Sequence, residues 1–343
     1  MLIIKRPIVC FPAIDWHYLF HRPQQLMTRL ALAGHPVHFR NITQIPGASP
    51  EEVAPHLWVY PDFNLLPTEI AHTTIYFIYF PPHAAWIDSG GDKFIIYDCI
   101  DDDPEFAGSE DLALNRADLV LCVSEQLLQK FKGKSSRLLL LSNGVDVRHY
   151  FGQSRIIPHE MQDLKSSGAP VVGFSGAFYR GWVDMELVYR TAREHGEWCF
   201  VIIGESYRWD FSNAPANLIY LGPRPYEALP DYIHCFDAGW IPFMDNQIAR
   251  GADPVKLYEY LASRIPVISR DLPFIRDLKP PLVYAYRNPS ECSNMIIQAL
   301  NDNKITGCRE QRRNFAAQNT WDMKVDQLLQ ELAKLTWLYA EQG

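Results

Sequence analysis

The sequence predicts an α/β fold in two domains. Strand-like runs rich in β-branched and aromatic residues alternate with helical periodicity through both halves of the chain. A polar stretch, 150–169, carries Gly152, Pro158, Ser166, Ser167 and Gly168, and separates two such series as a linker. The 343 residues exceed one small core and suit two. The expected division is 1–150, a linker at 151–169, a second domain at 170–319, and a last helix at 320–343.

Composition narrows the function classes. Apolar residues make up 48% and charged residues 21%, a globular balance. The formal charge of -8 disfavours nucleic acid as a partner. The seven cysteines are scattered with no C-x-x-C pair, which reads as buried, reduced thiols. Met1-Leu-Ile-Ile-Lys-Arg-Pro is interrupted before an apolar signal region forms, and no run is long enough for a membrane span. A cytoplasmic protein is expected.

The first half opens with a buried strand, Pro7–Pro12, then a polar and aromatic loop, Ala13–His21. The helix Arg22–Ala33 puts Leu26, Leu30 and Ala33 on one face, and Gly34 ends it. Asp15, His17 and Arg22 are candidates to meet a phosphate or an acceptor; Arg22 and Gln25 also suit a solvated helix start. Strands follow at 37–40, 57–60, 74–80 and 94–97. The last runs into Asp98-Cys-Ile-Asp-Asp-Asp-Pro104, an acidic cluster at a strand's carboxyl end, where open α/β sheets bind ligands. A metal site and a solvated turn are the rival readings, and no histidine stands at useful spacing for the metal. Ser124 caps a helix after the strand 117–123, and Ser142-Asn-Gly-Val-Asp146 follows the strand 137–141.

In the second half, Val171–Ser175 is a strand and Gly176–Trp182 a glycine-bearing loop into a helix at 184–195. Such a loop brings backbone N–H groups to a phosphate, with Arg180 the available cation. A strand ending at Gly204, another at 218–222, the loop Gly222–Pro230 and a helix at 226–235 come next. Pro254 then starts a short helix, with Lys256 at its first turn and Glu259 one turn on. Free N–H groups at a helix start and a lysine together suit a phosphate, and an ionised glutamate accepts hydroxyl hydrogen bonds. A solvated surface helix is the alternative. From Trp321 on, an apolar stripe runs through Val325, Leu328, Leu329, Leu332 and Leu335.

Pro254, Lys256, Glu259, Tyr260, Leu261 and Ala262 match, position by position, the Pro-x-Lys-x-x-Glu-Tyr-Leu-Ala form of a known signature. The chain thereby resembles the retaining glycosyltransferases of the GT-B fold, family 4-like. The broader form is E-x7-E followed by A-x-G-x-P-V. Here Glu259, Ala262, Pro266 and Val267 match it, Gly251 replaces the first carboxylate and Arg264 the glycine. Asp98 and Asp101 match the aspartates of a D-x-H-D segment whose histidine is Ile100 here. Ala177 and Trp182 replace the usual cations of the first phosphate loop.

The resemblance implies two Rossmann-like domains facing across a cleft, the first on the acceptor side and the second binding the nucleotide sugar, with the last helix crossing back to the first. It implies sugar transfer from a nucleotide diphosphate sugar, UDP- or GDP-linked, to a glycan or lipid-linked acceptor hydroxyl. It further implies retention and a part in cell-envelope polysaccharide or glycolipid synthesis, with peripheral contact at the inner membrane face. The implied catalytic residues are Asp101, Lys256 and Glu259. Donor contacts fall at Arg22, Gly176, Arg180, Gly204, Arg224, Pro254, Lys256, Leu257 and Glu259. No cofactor or metal is expected. The substitutions at 251, 177 and 100 also fit a degenerate, non-catalytic relative that binds a glycan or a partner. A two-lobed small-molecule binding protein is a third reading.

Overall fold

The computed structural model describes residues 5–67, 70, 74–87, 93–152, 156–178, 181–207 and 209–340. The chain divides into two compact α/β units. The first comprises 1–143, 251–253 and 321–343; the second comprises 144–250 and 254–320.

The first unit is built on eight strands: β1 (Ile8–Phe11), β2 (Val37–Arg40), β3 (Glu51–Ala54), β4 (Leu57–Tyr60), β5 (Ile75–Ile78), β6 (Phe94–Cys99), β7 (Leu119–Cys122) and β8 (Leu138–Leu140). Their order is β3-β4-β2-β1-β5-β6-β7-β8. All neighbours are parallel except β3 and β4. The central strands β1, β5 and β7 are buried throughout, which is why they read as continuous apolar runs rather than alternating ones. The antiparallel edge β3 was not legible: Glu51 and Glu52 are exposed and give it no apolar pattern. Helix Arg22–Leu32 connects β1 to β2, and Gly34 follows it at φ +92. Helix Trp321–Ala340 packs in the same unit, burying Trp321, Val325, Leu328, Leu332 and Leu335. Its Asp322 faces Arg29 at 3.2 Å.

The second unit holds β9 (Val171–Ser175), β10 (Cys199–Ile203), β11 (Leu218–Gly222), β12 (Ala238–Ile241), β13 (Val267–Arg270) and β14 (Val283–Tyr286). The order β11-β10-β9-β12-β13-β14 is wholly parallel. In each sheet the winding reverses at one place: between β1 and β5 in the first, between β9 and β12 in the second. Ligands of open α/β sheets bind outside the strand carboxyl ends at such reversals.

The stretch expected as a linker differs. Helix His159–Ser166 forms within it, and Met161 is fully buried in the second unit's core. The polar composition of 151–169 hid one apolar anchor. The change of unit comes after Asn143 rather than at 150.

Candidate functional site

Helix Val255–Ala262 is fastened to the end of β9 by Tyr260. Its hydroxyl accepts the Ser175 N–H at 2.7 Å and lies 3.1 Å from Ser175 Oγ. One turn earlier on the same face stands Lys256. Its ammonium lies 5.1 Å from the centroid of Phe174, on β9, and 5.2 Å from that of Phe243, just past β12. The lysine therefore sits at the reversal between β9 and β12. Among the described residues it makes no ion pair and no hydrogen bond. Loss of hydration holds its pKa down at about 8, against a smaller upward pull from Glu259.

The floor beneath Lys256 is backbone. Gly176 follows β9 at φ +136, and a Cβ there would fall 2.9 Å from Lys256 Cε. Gly204 follows β10 at φ +135, and a Cβ there would come 2.0 Å from the Gly176 oxygen. Both positions require glycine, for φ and for space. Hydrogen bonds Gly176 N–H to Ile203 O (2.8 Å) and Gly204 N–H to Gly222 O (3.0 Å) tie the three strand ends together.

Glu259 is 9% exposed and makes no ion pair among the described residues. Burial pushes its pKa up, partly offset by the nearby Tyr150 hydroxyl and the Lys256 charge. The Tyr150 hydroxyl is itself buried without a hydrogen-bond partner. A buried acceptor and a buried hydroxyl side by side form a polar pair suited to a ligand hydroxyl.

The second unit thus gathers Gly176, Gly204, Pro254, Lys256 and Glu259. Pro254 is the N-cap, at φ -68. Leu257 contributes differently from what was expected: its side chain is 1% exposed in the core, and its N–H is taken by Pro254 O at 3.0 Å. Arg224 is engaged elsewhere. Its guanidinium donates to Glu160 Oε1 and to the Tyr232 hydroxyl, each at 2.9 Å, and to Pro223 O. Arg180 lies outside the described residues. Phe174, Phe243, Tyr150 and Tyr260 are the residues that the sequence reading missed as site residues. Only Tyr260 left a signal, inside the motif.

In the first unit, Arg22 departs from its expected role. It is fully buried, with Nε 2.8 Å from Asp98 Oδ2, Nη2 2.9 Å from Asp98 Oδ1 and Nη1 3.0 Å from Asn143 Oδ1. The forked pair with Asp98 keeps Arg22 charged against a burial that would neutralise it. Three of its five N–H groups are taken and the side chain has no exposed surface to offer a phosphate, so Arg22 is a structural residue. Asp98, matched to the first family aspartate, is its counter-ion. Asn143 continues the network, its N–H donating to Asp253 Oδ2 at 2.5 Å. Asp101 is exposed, and its carboxylate makes no hydrogen bond among the described residues. Its neighbour Asp102 pairs with Lys130 at 2.7 Å.

Gly251 has a physical reason to lack the first carboxylate. A Cβ there would sit 2.7 Å from Asp102 Cβ, and its carbonyl accepts the Ser124 hydroxyl at 2.7 Å. Ser124 also caps helix Glu125–Phe131, as its sequence position indicated.

No protein-family model matches the chain. One curated relative is the "Putative teichuronic acid biosynthesis glycosyltransferase TuaH" of Bacillus subtilis. It is 25% identical over 228 residues, 63% of this chain, and the chain spans 57% of that relative's length. Among solved structures, sucrose-phosphate synthase from Thermosynechococcus elongatus superposes with a TM-score of 0.75 at 14% identity, over 97% of this chain and 100% of that one. Anabaena Alr3699/HepE in complex with UDP-glucose gives a TM-score of 0.67 at 13% identity, over 96% and 99%. Identities this low speak to fold alone, and the fold shared is GT-B, with two Rossmann-like α/β units in one chain.

Proposed function

We propose that the protein is a glycosyltransferase that moves a sugar from a nucleotide diphosphate sugar to an acceptor hydroxyl. The observation that carries this is Lys256: a partly buried ammonium at the sheet reversal, without an ion pair, above the Gly176–Gly204 backbone. In the reaction the bond between the anomeric carbon and the diphosphate oxygen breaks, and the electron pair leaves with the phosphate. Lys256, with the first N–H groups of helix Val255–Ala262, holds that developing charge. Glu259 and Tyr150 hold a donor hydroxyl. The acceptor oxygen bonds the anomeric carbon as its proton passes to an oxygen of the departing diphosphate. Asp101, with its carboxylate free, is the first unit's candidate for the acceptor side.

A UDP-sugar is the donor proposed first, because HepE was solved with UDP-glucose; a GDP-sugar is second. Retention, a hexose as the transferred group and a polysaccharide or glycolipid product belong to the same reading, and the name of the Bacillus relative supports an envelope polymer. No helix among the described residues is long and apolar enough to cross a membrane. Work in the cytoplasm, with peripheral membrane contact to reach a lipid-linked acceptor, completes the proposal.

A thermal-shift screen of UDP-, GDP- and ADP-sugars, followed by product analysis, tests it. A ligand that binds only the native state raises the melting temperature. The expected result is a shift with one nucleotide sugar and its turnover. No shift with any of them contradicts the proposal. A shift without transfer or hydrolysis supports the non-catalytic alternative.

A further inference from the structure

The first sheet has its own reversal, between β1 and β5, and none of the residues assigned above occupies it. Phe11 ends β1, Arg40 ends β2, Phe63 follows β4, and the turn Pro81–Trp86 follows β5. These four strands are adjacent, so the residues cluster at one carboxyl edge. The Arg40 guanidinium lies 4.1 Å from the ring centroid of Phe63, 4.2 Å from that of Trp86 and 5.5 Å from that of Phe11. His83 stacks on Trp86 at 3.9 Å, yet Trp86 remains 52% exposed.

Two buried nitrogens of this cluster have no hydrogen-bond partner among the described residues. Among the described residues Arg40 has no ion pair, and its buried Nε has no acceptor. His83 is 3% exposed and its Nδ1 has no partner. Buried unpaired polar atoms in a folded protein call for a ligand, a water or an ion. Rings over the guanidinium faces leave its N–H edge as the recognition surface, which matches a carboxylate or phosphate. Burial and the Arg40 charge hold His83 neutral, at about 4, so it offers a hydrogen bond without adding charge. An exposed indole beside that edge suits the apolar face of a pyranose ring.

We propose that Arg40, His83 and Trp86 bind a sugar ring bearing an anionic group, a carboxylate or a phosphate ester. Naming that sugar as the acceptor rests on the transferase reading; the binding does not.

Calorimetry on the full chain tests it, with methyl glucuronoside, its neutral methyl ester, glucose 6-phosphate and inorganic phosphate as probes. The expected result is that the glucuronoside or the sugar phosphate binds at least tenfold tighter than both the ester and inorganic phosphate. Which of the two binds identifies the anionic group. Arg40→Gln should erase the preference, and Trp86→Ala should weaken sugar binding about tenfold. Arg40→Lys keeps the charge but not the stacked plane, and should also lose the preference. UDP-glucose affinity, measured on the same samples, should be unchanged in all three variants. Equal binding of ester and glucuronoside with no preference for the sugar phosphate, or a preference that survives Arg40→Gln, would overturn the proposal. Absence of UDP-glucose binding to the wild-type chain would contradict the transferase reading and leave this site standing.

Discussion

The Lys256 ammonium lies 5.1 Å from the Phe174 ring centroid, against an aromatic face and not against a carboxylate. A ring quadrupole stabilises a cation without neutralising it. The charge remains available to an incoming diphosphate, and the partly dry surroundings raise its electrostatic worth.

That setting makes donor binding pH-dependent. Burial holds the Lys256 pKa in the free protein down to about 8, below its ordinary 10.5. A bound diphosphate favours the charged form and raises that value. Below about 8 the lysine is already protonated and affinity is level. Above it, binding must take up a proton, and affinity falls by up to tenfold per pH unit. Calorimetric titration of UDP at pH 7, 8 and 9 should show little change to 8 and a five- to tenfold loss at 9. Lys256→Ala should bind weakly with no such slope.

Glu259→Gln should weaken the nucleotide sugar about tenfold while changing kcat less, because a contact held alike in ground and transition states affects binding alone. Tyr150→Phe removes a buried hydroxyl that has no hydrogen-bond partner. It should leave the melting temperature unlowered and weaken donor binding less than Glu259→Gln. Calorimetry with thermal melts reads both. A larger fall in kcat than in affinity for Glu259→Gln would assign this carboxylate to the chemical step.

Arg22 and Asp98 form a forked pair at 2.8 and 2.9 Å with both side chains fully buried. Losing one partner strands the other charge, at a cost of about 3–5 kcal/mol. Arg22→Ala and Asp98→Ala should each unfold at much lower urea, and the double variant should lose less than their sum. Whatever folded protein remains should bind donor normally. Intact stability with lost donor binding in Arg22→Ala would return Arg22 to the phosphate.

Gly204→Ala and Gly133→Ala separate strain from collision. Gly133 stands at φ +84 with nothing within 4 Å of a new Cβ, so alanine there should cost about 1 kcal/mol. Gly204→Ala would drive its Cβ into the Gly176 carbonyl and should cost about 3 kcal/mol or more, with donor binding lost. Urea melts of the two variants make the comparison.

Much of this was written in the chain locally. Buried parallel strands announced themselves as apolar runs, and Pro254 marked the start of the Lys256 helix because its ring fits that turn. The edge strand Glu51–Ala54 and the helix His159–Ser166 were hidden because each shows solvent mostly polar side chains. Arg22 misled for a different reason: a buried guanidinium and a phosphate-binding one look alike in sequence, and Asp98, the residue that decides between them, is 76 positions away. Arg40 and Trp86 left no signal either, since only the strand order brings them together.

The most direct test is Lys256→Ala. Donor affinity by calorimetry and single-turnover transfer from UDP-glucose, or from whichever donor the screen identifies, should be measured beside wild type. Circular dichroism should confirm that both are folded. If Lys256 stabilises the departing diphosphate, transfer should slow about a hundredfold or more, beyond any loss of donor affinity. A folded Lys256→Ala that binds donor and transfers sugar as wild type does would contradict the assignment of this site.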